Sequence, residues 1–411
     1  MARSIISCRQ SFSTSSIAES LTEGEERTID RLAVDIILSD ASSGGDDVQN
    51  MTRRIALSKA ITLVESKAPR KRLMADVLLE KLKQSTNGRR NSNNVNSFRL
   101  GIAGPPGVGK STFVEALGLY VLGLNNDEKK EMQQQQDSCF QPEKLAVLCI
   151  DPSSSITGGS ILGDKTRMSN LSYHPKAYVR PSPSSGTLGG LGSYTYDCVS
   201  LCEFAGYETT FIETVGVGQS EVELTECCDL FLLLLAPGGG DELQGSKKGI
   251  VEVADILVVN KADGETETLA RRTANEYTRA MGLLRKPAGW WGGKQNDDAS
   301  NDCSTSPSPT APPVLLVSAK TGTGLPELWN TILKYQQYAK ASGHLAEKRR
   351  KQNRYWMWKY LKDKVSASAN KDPQRAEAIE RSLDSGLVAP RVAASQLWKS
   401  IVDSAESENK V

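Results

Sequence analysis

The chain has 411 residues, more than one small core requires, and its 38% hydrophobic and 24% charged residues favour a soluble globular fold. Its 50 Lys and Arg stand against 49 Asp and Glu, so no bulk charge draws it to nucleic acid or to an anionic membrane. The longest apolar run, Leu230 to Ala236, falls far short of the roughly 20 residues that cross a bilayer. The 8 cysteines include no CxxC pair, and the 2 histidines are His174 and His344. That pattern fits free thiols in a reducing compartment and argues against a zinc module, with Cys227 and Cys228 read as packed thiols rather than soft-metal ligands.

From the amino end, residues 1–18 carry Arg3 and Arg9 among Ser and Thr, with no acid before Glu19. This is the composition of an organelle transit peptide, which points to the mitochondrial matrix, with a plastid as second choice. Residues 19–97 are expected to form a helical extension and linker. Ile55, Leu57, Ile61 and Val64, then Leu73, Val77, Leu78 and Leu82, recur at helical spacing on either side of Pro69. Residues 98–340 predict an α/β domain. The apolar runs Phe98 to Ala103, Leu145 to Ile150, Thr209 to Ile212, Leu230 to Leu235, Ile256 to Val259 and Val314 to Val317 read as buried strands, several of them separated by helical segments. Such alternation predicts a P-loop NTPase fold: a mostly parallel central sheet with helices on both faces, and ligands beyond the carboxyl ends of the strands. The Gln133 to Gln136 tract and residues 287–313 read as insertions, the second disordered. Residues 341–411 form a helical arm that begins with Lys348, Arg349, Arg350 and Lys351, followed by Trp356 and Trp358, a dimerisation or partner surface.

Several strand ends carry recognisable chemistry. Gly104-Pro105-Pro106-Gly107-Val108-Gly109-Lys110-Ser111-Thr112 follows the first strand and matches G-x-x-x-x-G-K-[ST]. Its glycines let backbone N–H groups curl round phosphate oxygens, Lys110 reaches the β and γ phosphates, Ser111 offers a hydroxyl to Mg²⁺, and a helix starting at Ser111 points its positive end at the anion. Asn260-Lys261-Ala262-Asp263 closes the Ile256 to Val259 strand and matches the guanine-reading N-K-x-D pattern, while Ser318-Ala319-Lys320 closes the last strand as base-binding loops do. A carboxylate at Asp263 can accept from guanine N1–H and the 2-amino group; adenine presents no such donor pair. GTP is therefore the expected substrate.

Glu213-Thr214-Val215-Gly216 stands where GTPases carry the D-x-x-G switch. Glu213 is expected to meet Mg²⁺ through water, with Gly216 as the switch glycine. Val217 follows where Ras-like enzymes place a water-orienting Gln, so slow hydrolysis completed by a partner is expected, with Gln219 a candidate substitute. Asp151 falls beside the phosphate site, where it can touch Mg²⁺ or its waters. The polar loops that carry Asp164, Lys165 and Arg167, and Asp241, Glu242, Gln244, Lys247 and Lys248, are candidate nucleotide-sensing segments.

Between these general motifs run longer strings: Ala60 to Ser66, Asp151 to Met168, Arg180 to Gly190, Ile212 to Glu221, Gly239 to Gln244 and Lys348 to Trp358. Through them the chain resembles the GTPases associated with adenosylcobalamin-dependent methylmalonyl-CoA mutase, the methylmalonic aciduria type A family and its bacterial counterparts. The resemblance implies a homodimeric chaperone whose GTP cycle gates adenosylcobalamin loading onto the mutase, or release of damaged cofactor. It further implies Asp151, Asp164 and Glu213 as Mg²⁺ and switch acids, with Lys110, Asp164 and Glu213 the catalytic set, and Asp241 and Lys247 in a third mobile loop. Alternatives are a metallochaperone GTPase, disfavoured by the scarcity of His and CxxC; an ATPase linked to basic amino-acid transport, disfavoured by N-K-x-D; and an assembly scaffold with negligible turnover.

Overall fold

A computed structural model describes residues 21–37, 46–87, 97–123, 142–151, 168–183, 191–192, 194–214, 223–238, 248–283, 311–369 and 372–408. Residues 1–348 form one compact unit and residues 349–411 a second.

The first unit opens with three helices, α1 (Glu23–Ile37), α2 (Asp46–Val64) and α3 (Pro69–Asn87). The chain enters α1 through a reciprocal capping box, in which Thr22 N–H donates to Glu25 Oε2 at 2.9 Å and Glu25 N–H to Thr22 Oγ1 at 3.4 Å. The three helices pack through Ile29, Ile36, Leu57, Ile61, Leu78 and Leu82, all buried. Ile55, although at helical spacing with the core positions, lies 44% exposed.

Seven parallel strands follow: β1 (Phe98–Ala103), β2 (Leu145–Asp151), β3 (Ala177–Pro183), β4 (Thr209–Thr214), β5 (Leu230–Leu235), β6 (Ile256–Val259) and β7 (Val314–Leu316). Their spatial order is β3-β2-β4-β1-β5-β6-β7, which is the α/β architecture anticipated. The continuous apolar runs of β1, β5 and β6 are buried along their whole length, as parallel strands covered on both faces must be. Representative registers are Phe98 beside Thr209, Leu100 beside Leu230, and Leu257 beside Val314. Two details differ from the sequence expectation. β3 had not been anticipated, because two prolines in AYVRPSP obscure a strand; it is tolerated as an edge. β4 runs on to Thr214, so Glu213 lies within the strand rather than beyond it.

Connecting helices include α4 (Lys110–Gly123), α5 (Ser169–Tyr173), α6 (Thr195–Phe204), α7 (Lys248–Val253), α8 (Glu267–Leu283) and α9 (Leu325–Ala341). At the amino-terminal rim of the sheet a buried polar cluster fixes their placement. Arg99 in β1 donates to both oxygens of Glu203 in α6, at 2.8 and 2.7 Å. The Arg99 N–H donates to Asp229 Oδ2 at 2.8 Å, and Tyr335 of α9 donates to Asp229 O at 2.6 Å. Lys348 Nζ reaches the same Asp229 carbonyl at 2.8 Å. Close packing is also needed at Gly101, where a Cβ would lie 2.8 Å from Cys228 Sγ. Cys227 and Cys228 are buried, and burial pushes the Cys228 thiol up to about 12.

Helix α10 (His344–Ala369) begins in the first unit and continues into the second, where α11 (Pro373–Asp384) and α12 (Pro390–Glu408) follow. Asp372 caps α11 by accepting from Arg375 N–H at 3.1 Å. Trp358 and Trp398 are exposed. Among the described residues, no helix is long and apolar enough to cross a membrane.

Replacing Glu203 with Ala strands the buried Arg99 guanidinium, which should destabilise the first unit by about 3 kcal/mol. The check is a lowered denaturant midpoint alongside GDP affinity within about twofold of wild type, since the pair lies at the rim away from the phosphate loop.

Candidate functional site

At the carboxyl end of β1 the chain turns out of the sheet through Gly104. A Cβ there would lie 2.7 Å from the Leu234 carbonyl oxygen in β5, so the exit from the strand admits no side chain. Pro105 and Pro106 lead to Gly107 and Gly109, whose φ angles of +78° and +90° fall in the region that favours glycine. Val108 between them is buried. Lys110 opens α4 with its side chain folded over this loop, and its Nζ donates to Gly104 O at 2.8 Å and Pro105 O at 3.0 Å. Lys110 is 9% exposed. The helix starts one residue before the expected Ser111. Thr112 is exposed on its first turn. Turning N–H groups, a helix amino terminus and a lysine make an anion cradle.

Ser111 Oγ donates to Glu213 Oε1 at 3.1 Å, joining the loop to the penultimate residue of β4. A hydroxyl and a carboxylate are hard oxygen donors, the chemistry that Mg²⁺ takes. Asp151 closes β2 in register with Pro183; its side chain lies outside what is described. So do Asp164, Gly216, Gln219, Asp241 and Lys247.

The base-side loop is tied to the phosphate loop by side chains. Asn260, 1% exposed, follows β6. Its Nδ2 donates to Val108 O at 2.9 Å, and its Oδ1 accepts from Ala319 N–H at 3.3 Å. One amide thus links the phosphate loop, the end of β6 and the loop after β7. Lys261 has φ +59°, the one non-glycine residue with a left-handed backbone among those described. Its Nζ donates to Gly107 O at 2.7 Å, and Thr266 Oγ1 donates to its carbonyl. Ala262 N–H donates to Val317 O at 3.1 Å. Asp263 is half-buried and accepts at Oδ1 from Ser318 Oγ at 2.7 Å; Ser318 in turn accepts from Thr321 N–H at 3.2 Å. Lys320 is exposed beyond them. The carboxylate is therefore oriented before any ligand arrives and keeps further accepting capacity.

The structure thus brings Gly104 to Ser111, Glu213, Asn260 to Asp263 and Ser318 to Ala319 together at one rim of the sheet. Sequence reasoning had not anticipated Asn260 and Lys261 as braces of the phosphate loop, or Ser318 as the group that orients Asp263. The motif spacing carries no signal for those contacts.

The family model "Methylmalonyl Co-A mutase-associated GTPase MeaB" matches residues 57–374. The chain is 40% identical over 386 residues to the mouse protein "Methylmalonic aciduria type A homolog, mitochondrial", covering 93% of this chain and 81% of that one. It is 41% identical over 377 residues to a probable GTPase of Mycobacterium tuberculosis, covering 91% and 95% of the two chains. Among solved structures, a LAO/AO transport system kinase superposes with a TM-score of 0.59 at 27% identity, over 93% of this chain and 99% of that one.

Asn260→Ala leaves the Val108 carbonyl and the Ala319 N–H without their partner. A stranded buried polar group costs about 1–3 kcal/mol, so GDP binding should weaken by about tenfold or more. Titration with a fluorescent GDP analogue checks this, and an unchanged affinity would remove Asn260 from its bracing role.

Proposed function

The chain belongs to the methylmalonyl-CoA mutase-associated GTPase family, and we propose that it uses its GTP cycle to gate adenosylcobalamin loading onto, and reactivation of, methylmalonyl-CoA mutase. That it is a GTP hydrolase follows from family membership; the client, the gating and the residue roles are the proposal. The observation that carries it is the Asn260 bridge, which makes base-side and phosphate-side loops one mechanical unit.

In this reading Asp263, held by Ser318, accepts the guanine donors, and Lys110 leaves the Gly104 and Pro105 carbonyls for the β and γ phosphates. Ala319 and Lys320 complete the base pocket. Ser111 and Glu213 hold Mg²⁺, directly or through water, with Asp151 beside them. When bound, Mg²⁺ supplies charge neutralisation at the phosphate oxygens. Asp164, Gly216, Gln219, Asp241 and Lys247 belong to the segments that report γ-phosphate loss to the partner. The Ser111–Glu213 bond supports this assignment, because it couples the phosphate loop to the strand that leads into the Gly216 segment.

Hydrolysis is slow until the partner completes the site, a reading supported by Val217 after the switch glycine. The mouse relative's mitochondrial name and the Arg3 and Arg9 leader support a mitochondrial matrix location and a transit peptide over 1–18. Exposed Trp358 and Trp398 support residues 341–411 as a homodimerisation or partner arm, with 19–97 the helical extension and 98–340 the GTPase domain.

Changing Asp263 to Asn replaces an acceptor by an amide that suits xanthine, whose 2-oxo group takes the place of the guanine 2-amino group. Hydrogen bonds to a charged group contribute about 1.5–3 kcal/mol each, so GTP affinity should fall by about a hundredfold while xanthosine triphosphate binding rises. Transfer of adenosylcobalamin to the mutase, followed by its absorbance, should then respond to xanthosine triphosphate and no longer to GTP. Transfer that ignores both nucleotides would overturn the gating proposal. Unchanged GTP affinity would overturn the role of Asp263.

A further inference from the structure

A cavity of about 560 Å³ lies between α2 and the edge strand β3, remote in the fold from the phosphate loop. Its size falls within the range of ligand pockets. One helical stripe lines it, Met51, Arg54, Ile55, Ser58, Lys59 and Thr62, spaced by three and four residues so that they share a face. Tyr178, Val179 and Arg180 of β3 form the other wall.

Three features of this groove bear on its occupant. The first is charge. Arg54, Lys59 and Arg180 all face it. Arg180 is committed to Glu65 at 2.6 Å, with Thr62 Oγ1 at 3.2 Å, while neither Arg54 nor Lys59 pairs with a carboxylate among the described residues. The groove therefore carries a net positive charge. The second is apolar surface. Met51 is 59% and Ile55 44% exposed, although they stand on a helix whose opposite side is well packed.

The third is the strand edge. Leu145 N–H donates to Lys176 O across the junction with β2, so even-numbered residues turn their backbone groups toward β2 and odd-numbered ones turn theirs outward. On that outer edge Ala177 N–H is already donated to His174 O, and Pro181 and Pro183 have no N–H to give. Among the described residues nothing takes the outward donor and acceptor of Val179, itself 8% exposed, at the position that lines the cavity.

We propose that this groove docks a short, extended acidic segment of a protein partner. The segment's backbone pairs with Val179, its carboxylates meet Arg54 and Lys59, and an apolar side chain covers Met51 and Ile55. Cations in pairs with a single usable backbone rung suit a brief β-type contact flanked by acidic side chains. The two prolines block further pairing and so prevent sheet-to-sheet association along this edge. Glu65, which also accepts from Ser182 Oγ at 2.8 Å, fixes α2 against β3 and keeps the groove walls in place.

The test is fluorescence anisotropy with a short fluorescein-labelled peptide alternating glutamate with valine, added to the full chain saturated with GDP and Mg²⁺ so that the phosphate loop is occupied. Saturable binding is expected at one peptide per chain, weakening with salt and absent for the matching lysine–valine peptide. Arg54→Glu/Lys59→Glu should weaken binding by at least about tenfold while GDP affinity and the melting temperature stay at wild-type values. Val179→Pro, which removes the outward N–H and leaves the charges, should weaken it as well. No saturable binding at low ionic strength, binding indifferent to the double charge reversal, or binding unchanged in a folded Val179→Pro variant would each overturn the proposal. Displacement of the peptide by inorganic pyrophosphate at equal concentration would also overturn it, because it would make the groove a small-anion site.

Discussion

The site depends on one buried carboxamide. Asn260 sits at the end of β6 and spends its donor on the phosphate loop and its acceptor on the loop after β7. A side chain this buried cannot leave either group unpaired without a penalty comparable to a whole hydrogen bond. The two loops therefore move together or break a bond. Lys261 adds a second tie to Gly107 and accepts a left-handed backbone to make it. The cost of that conformation is offset by the bonds that hold the turn closed. The base loop is part of the phosphate loop's support as well as a neighbour to it.

The parallel sheet is what makes such ties possible. Every strand delivers its carboxyl end to the same rim, so residues separated by more than a hundred positions, such as Ser111 and Glu213, meet within hydrogen-bond range. The opposite rim is closed by the Arg99–Glu203–Asp229 cluster, with Tyr335 and Lys348 donating to the Asp229 carbonyl. The amino rim is thus held by a buried ion pair and its hydrogen bonds, and the polar contacts of the nucleotide motifs gather at the carboxyl rim.

Legibility in the sequence followed the physics of burial. β1, β5 and β6 were readable to the residue, because a strand covered on both faces must be apolar throughout. β3 was not readable: an edge strand can carry Arg180, Pro181 and Pro183, which no central strand would tolerate. Glu213 looked like a loop residue because a carboxylate is unusual inside a strand, yet β4 carries it buried against Ser111. Ile55 read as core from its spacing and instead faces solvent beside the basic groove. The motif residues were recognisable from their chemistry alone. Their mutual contacts were not, because a four-residue pattern encodes which groups are present and not which carbonyl each will find.

The GTP cycle proposed for this protein waits for its partner. The most direct measurement is single-turnover GTP hydrolysis by the purified protein with and without methylmalonyl-CoA mutase, using Lys110→Ala as the blank. Slow hydrolysis alone is expected, with acceleration by at least about tenfold when the mutase is added, a change of about 1.4 kcal/mol in the barrier. Hydrolysis that is fast unaided, or that does not change when the mutase is added, would contradict the proposed cycle.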